Sequence, residues 1–362
     1  MSRPTARVKI ATLICAGFAT LLTAAGPAAA FDRGTTQLFA VLPAGATGPE
    51  GLTVAPNGDV YVATFGFNTT GSASGPGKIY VYNDDGRLLR TLTVAGSTAN
   101  LLGLAFHPST HALLVIDFGA AKVLNVDPQT GSSSVFMTVT GSAGLNALTF
   151  DSLGNVYVSD SFQGIIWKTG SGGGAATAWV TNALLTTAGV PPFGANGLAF
   201  NKAGSALFVA NTGNDQIVKI PVMGGTPGTP AVFVNSINGA DGLIMDEHDN
   251  IWVAANQSDE IVVLDPTGKV IAKLGDFEGV DRNGVPQGLL FPASPEFSRD
   301  KRSLFVTNLA LDIRLVRIVI SLFTFVFLVV VWADFAVVII IVVAVTFIFL
   351  VIVARRVAFV LA

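Results

Sequence analysis

The sequence predicts an all-β fold, a six-bladed β-propeller closed by an N-terminal strand, with an N-terminal signal peptide before it and a C-terminal transmembrane segment after it. Three observations predict this. A short phrase centred on a small residue and leucine recurs six times; each copy is followed by strand-forming runs punctuated by turn residues; and the chain's greasiest stretches sit at its two ends. A hydrophobic share of 51% against a charged share of 12% is too apolar for a wholly soluble chain, whereas 39 glycines are too many for a bundle of membrane helices.

The N-terminus carries Arg3, Arg7 and Lys9, then an apolar run from Ile10 to Leu22, then Ala28-Ala29-Ala30. A basic region, a short apolar region and a small-residue cleavage site define a secretory signal peptide over residues 1–30. The single cysteine, Cys15, falls inside it, so no intrachain disulfide and no cysteine-built metal site is available. Residues 320–362 form a hydrophobic tail. Within it Phe335 to Ala354 is uncharged and precedes Arg355-Arg356, the length of one bilayer crossing with a stop-transfer pair, so a helix over 335–354 is expected. The abrupt loss of Gly, Pro, Asn and Lys in this tail leaves a shifted reading frame grafted onto a soluble protein as the alternative. On the first reading the domain is exported, to the periplasmic or extracellular face, and anchored to the membrane by the C-terminal helix. Between the two ends acidic groups clearly outnumber basic ones, which argues against a nucleic-acid partner.

The domain proper spans 31–319. Its phrases are Glu50-Gly51-Leu52, Leu102-Gly103-Leu104, Asn146-Ala147-Leu148, Asn196-Gly197-Leu198, Asp241-Gly242-Leu243 and Gln287-Gly288-Leu289, recurring about every fifty residues. A second strand is expected after each turn, as in Val60 to Ala63, Val156 to Asp160 and Leu304 to Asn308; a third follows, as in Lys78 to Tyr82, and a fourth, as in Leu88 to Val94. Four strands repeated radially make a propeller, which protects strand edges. The sixth unit supplies its third strand at Ile313 to Val319 and lacks a fourth, and Thr36 to Leu42 reads as a strand with no unit of its own. It is therefore expected to close the ring.

The residue opening each phrase is expected at the mouth of the central channel. Five of the six, Glu50, Asn146, Asn196, Asp241 and Gln287, carry side-chain oxygens. A hard cation such as Ca²⁺, or another divalent cation, takes six to eight oxygen ligands in loose geometry, and Glu50, Asn146, Asn196 and Asp241 together supply such donors. The bland reading is a solvated rim, with Asn-Gly and Asp-Gly entering strands as turn dipeptides. Asp117, Asp160, Asn211, Asn256 and Asn308 end second strands on the same face, either as an outer ring for substrate hydroxyls or as loop-satisfying Asx groups.

The stretches Pro49 to Ala63, Ala195 to Phe200 and Ala240 to Ala254 resemble the SMP-30/gluconolactonase/regucalcin-like family of calcium-dependent six-bladed propellers. The resemblance implies a divalent cation held by Glu50, Asn146, Asn196 and Asp241, hydrolysis of a small-molecule lactone or related ester, and Asp241 as both ligand and catalytic base. Glu50 is followed by Gly-Leu where the family commonly has Gly-Pro. Second strands ending in Asp160, Asn211 and Asn308 also resemble NHL-repeat propellers. That resemblance implies a non-catalytic module binding an extracytoplasmic protein or glycan.

Overall fold

The computed structural model describes residues 31–46, 48–68 and 71–309. Five antiparallel blades follow one another. Their inner strands are Pro49–Val54, Leu101–Phe106, Leu145–Phe150, Ala195–Phe200 and Ala240–Met245, and their second strands are Val60–Thr64, Leu113–Asp117, Val156–Asp160, Ala206–Asn211 and Ile251–Ala255. Each blade then adds a third and an outer strand; the second blade gains one further short edge strand, Gly174–Ala175. The inner strands pack side by side in chain order, and a two-stranded sheet, Pro292–Phe297 with Leu304–Asn308, stands between the fifth blade and the first.

The expected six blades are thus corrected to five, plus this two-stranded sheet. The remainder of the sixth unit, Ile313 to Val319, lies outside the described residues, as do the signal-peptide segment 1–30 and the helix expected over 335–354. The expected ring closure by a strand is corrected as well. Thr36 to Leu42 forms no ladder, because the described sixth sheet offers it no third strand to pair with. It bridges by side chains instead, the Phe39 ring packing 4.6 Å from Phe305 of the two-stranded sheet and 6.3 Å from Tyr82 of blade 1; just before it, the Gly275 amide donates to the Arg33 carbonyl at 2.8 Å.

Among the described residues no helix is long and apolar enough to cross a membrane; the helical pieces there are the three-residue turns Phe118–Ala120, Ala183–Leu185 and Asn256–Ser258. The expected transmembrane segment, the membrane as a partner and the membrane-anchored exported location are therefore corrected to this extent: no described helix supplies an anchor, and the helix expected over 335–354 lies outside the described residues.

The core lies between blades. The second strands of blades 1 to 4 are buried along their whole length because both faces meet a neighbour: Tyr61 and Ala63 pack toward blade 2 with Leu113 and Val115, while Val60 and Val62 pack toward Phe305 and the N-terminal segment. On a strand sandwiched this way both alternating faces read mostly apolar or small, with Asp117, Asp160 and Asn211 at the strand ends.

One irregularity recurs in all six inner strands. The register against the second strand shifts between Pro49 and Leu52, Leu101 and Leu104, Leu145 and Leu148, Ala195 and Leu198, Ala240 and Leu243, and Pro292 and Pro295. A bulge there bends the strand and re-aims the side chain it carries. The phrase glycines sit in these bulges. A Cβ on Gly51 would lie 2.0 Å from the Leu102 carbonyl oxygen, on Gly197 2.6 Å from that of Asp241, and on Gly242 2.5 Å from that of Ala293. The Asn-Gly and Asp-Gly pairs are therefore not turns; glycine is required by the close approach of the next blade's backbone.

Candidate metal centre at the channel mouth

Because the bulges align, Glu50, Asn146, Asn196 and Asp241 take equivalent positions at the same end of the ring, from blades 1, 3, 4 and 5. All four are buried, with exposures of 5, 4, 5 and 6%. Leu102 occupies the position in blade 2. The sixth position belongs to Ala293, not to Gln287, which lies in a small hairpin of Phe277–Val280 with Pro286–Gly288. The sequence Gln287-Gly288-Leu289 imitates the phrase, but the inner strand begins three residues after its leucine, at Pro292–Phe297.

Second strands deliver the residues that orient the site. Ser161 and Thr212 directly follow the second strands of blades 3 and 4. Each hydroxyl donates to the next blade's backbone, Ser161 Oγ to the Ala195 carbonyl at 2.6 Å and Thr212 Oγ1 to the Ala240 carbonyl at 2.8 Å. With its one hydrogen committed, a hydroxyl can only accept from a further partner. That partner is the amide nitrogen of Asn146 at 3.4 Å and of Asn196 at 3.0 Å. Both amide orientations are fixed by this relay, with Oδ1 left as the free end. In blade 5 the equivalent Asn256 donates to Asp241 Oδ2 and to the Pro292 carbonyl, each at 3.2 Å. Sequence reasoning missed Ser161 and Thr212; the available signal was a hydroxyl residue one place after the second strand in consecutive repeats.

Glu50 Oε2 and Asp241 Oδ1 are buried and have no hydrogen-bond partner. Burial pushes the Glu50 carboxyl well above its usual range, and the nearby charge of Asp241 adds to this. Burial likewise pushes Asp241 up to about 7, opposed by the Asn196 amide and the Gly242 N–H. Two orphaned carboxylate oxygens beside two oriented amides are a donor set that suits a hard divalent cation. Among the described residues no three His, Cys, Asp or Glu side chains gather, so the candidate centre is made of two carboxylates and two amides. His107 is buried and bound through Nε2 to the Gly154 carbonyl at 2.8 Å.

The other polar ends of second strands are engaged with their own loops. Asp160 accepts from the backbone of Gly144, Phe162 and Gln163 and from the Trp167 indole; Asn211 donates to Leu184 and Thr186; Asn308 joins Leu290 and Gly288; Asp117 accepts from Thr98. Only Asn256 reaches the candidate centre. An open groove of about 650 Å³, with Trp252, Phe297 and Lys301 on its walls, shares no residue with that centre.

Comparison with known proteins agrees with the architecture. A family model described as the SMP-30/Gluconolactonase/LRE-like region matches residues 120–275. No curated protein matches. Among solved structures, a gluconolactonase from Xanthomonas campestris is similar with a TM-score of 0.56 at 15% identity, over 73% of this chain and 84% of that one. A calcium-binding regucalcin from Agrobacterium tumefaciens gives 0.55 at 18%, over 75% and 86%. A catalytically inactive virginiamycin B lyase from Staphylococcus aureus, with quinupristin, gives 0.50 at 13%, over 74% and 93%. The chain has a propeller fold related to the SMP-30/gluconolactonase/regucalcin superfamily, at low sequence identity.

Proposed function

We propose that the chain is a Ca²⁺-dependent, or other divalent-cation-dependent, hydrolase of lactones or related esters, acting at the mouth of its propeller channel. The observation that carries this reading is the pair of orphaned, buried oxygens, Glu50 Oε2 and Asp241 Oδ1. Leaving such groups unpaired is costly, and a bound cation is the partner that removes the cost. Glu50, Asn146, Asn196 and Asp241 would hold it.

A bound divalent cation supplies Lewis-acid polarisation of a carbonyl oxygen. The protein's part is positional and protonic. Ser161 and Thr212 keep the Asn146 and Asn196 amides turned with their oxygens free. Asn256 holds Asp241 Oδ2 and so orients the carboxylate whose Oδ1 would face the cation, and that carboxylate would also serve as general base toward the attacking water. The remaining ring positions are filled by the buried apolar side chains of Leu102 and Ala293. The relation to gluconolactonase and regucalcin structures supports the substrate class and the cation.

The test is thermal melting with calcium and with chelator, joined to a lactone panel. A ligand at a hundredfold its Kd stabilises by about 2.7 kcal/mol. Glu50→Gln and Asp241→Asn should abolish most of that shift, and Asp241→Asn should lower lactone hydrolysis by about a hundredfold or more. Hydrolysis unchanged in both variants would rule out the catalytic reading and leave the fold intact.

A further inference from the structure

Five phenylalanines gather at the end of the channel that holds the candidate centre. Phe65 and Phe118 directly follow the second strands of blades 1 and 2, Phe67 lies two residues beyond Phe65, Phe162 follows Ser161 in blade 3, and Phe193 precedes the inner strand of blade 4. Their ring centroids are 4.5 Å apart for Phe65 and Phe67, 5.4 Å for Phe65 and Phe118, 5.7 Å for Phe118 and Phe162, and 5.8 Å for the stacked Phe162 and Phe193. Phe193 also meets Phe118 at 6.2 Å and Phe65 at 6.5 Å. The order of the inner strands places blades 1 and 4 on opposite sides of the ring. The contact between Phe193 and Phe65 therefore reaches across the mouth, at the end of the ring where Glu50 and Asn196 sit.

We infer that this aromatic wall receives the apolar part of the substrate, an alkyl chain or aryl ring, so that the site selects hydrophobic lactones and esters over polyhydroxylated sugar lactones. The inference rests on the hydrolase reading above and deepens it. Three observations carry it. Phe162 stays 49% exposed although it already touches Phe118 and Phe193, while the other four rings are partly buried, and exposed apolar surface at the rim of a polar site is the signature of a ligand groove. The side chains that would bind sugar hydroxyls, Asp117, Asp160, Asn211 and Asn308, are consumed by loop backbone. And the wall is held in place: the Phe193 carbonyl accepts from the Gly213 amide at 2.8 Å, and Gly189 and Gly213 are in such close contact that a Cβ on Gly189 would lie 1.7 Å from the Gly213 oxygen. A prepositioned apolar surface gains binding energy without an ordering cost.

The experiment has two arms. In the first, kcat/KM is measured for γ-lactones of increasing alkyl length and for gluconolactone. Each added methylene should raise kcat/KM about three- to fourfold until the wall is covered, and gluconolactone should be the poorer substrate. Phe193→Ala and Phe65→Ala should flatten this chain-length slope, and Phe193→Leu should restore most of it. In the second arm, N-phenyl-1-naphthylamine fluorescence is titrated with the wild type, Asp241→Asn, Phe65→Ala and Phe193→Ala. Binding that persists in Asp241→Asn and weakens about tenfold in the Phe variants supports the wall even if no lactone is hydrolysed. A flat chain-length series in the wild type, or probe binding that the Phe variants leave unchanged, overturns it.

Discussion

Asp241 of blade 5 stands near enough to Glu50 of blade 1 that its charge adds to the cost of ionising that buried carboxyl. Two carboxylates from distant parts of the chain share one end of the channel because both occupy the bulge of an inner strand, and bulges in successive blades are brought around a common axis.

That arrangement fixes a pH dependence. The Asp241 carboxyl is raised from 3.8 to about 7, so in the cation-free protein it binds its proton more tightly folded than unfolded. A group raised in this direction contributes its stability in full below about pH 4 and loses it as pH rises through about 7. Glu50 shifts in the same direction. With chelator present, the melting temperature should fall between pH 4 and pH 7. With saturating calcium the fall should shrink or reverse, since binding requires the ionised carboxylates. Melting curves at several pH values, with and without metal, check this; a chelated protein whose stability rises steadily from pH 4 to pH 7 would contradict the buried-pair account.

The repeats and four of the channel-mouth residues were legible because each inner strand combines a bulge with a small residue against its neighbour, and that coincidence leaves a phrase in the sequence. The sixth repeat was misread for a related reason: Gln287-Gly288-Leu289 has the phrase without the strand, since Gly288 takes a φ of +73° and the chain turns there. The true inner strand, Pro292–Phe297, carries two prolines and nothing in its composition suggests a repeat. Thr36 to Leu42 has the alternation of a strand, but alternation does not supply a ladder partner. The aromatic wall escaped notice because Phe65, Phe118, Phe162 and Phe193 come from four different loops, and only the ring geometry brings them together.

The hydroxyl relay yields a second prediction. Thr212→Val keeps the shape of the side chain but leaves the Ala240 carbonyl without its donor and the Asn196 amide free to turn. Ser161→Ala does the same at Ala195 and Asn146. Each change should cost about 1–3 kcal/mol of stability. Each should also weaken calcium binding about tenfold or more, because residues behind a metal ligand set its orientation. Calorimetric titration with calcium separates the two effects. Ser161→Thr, which retains the hydroxyl, should recover affinity; equal calcium affinity in Thr212→Val and the wild type would show that the relay is structural only.

The phrase glycines provide the sharpest separation between packing and local backbone preference. Neither Gly197 nor Gly242 has a positive φ, so alanine would be tolerated there if conformation alone mattered. What forbids it is the neighbouring blade: an added Cβ at 197 lies 2.5 Å from the Leu243 nitrogen and 2.6 Å from the Asp241 oxygen, and backbone cannot swing aside as a side chain can. Overpacking of this kind costs about 1–3 kcal/mol or more, which for a domain of this size is about 2–4 °C per kcal/mol. Gly170, also without a positive φ, has nothing within 4 Å of the same added atom. Gly197→Ala should therefore lower the melting temperature by several degrees, and Gly170→Ala should leave it almost unchanged. Because the strain at 197 pushes on the backbone of Asp241 itself, Gly197→Ala should weaken calcium binding as well, whereas a destabilised variant with full calcium affinity would place the strain elsewhere.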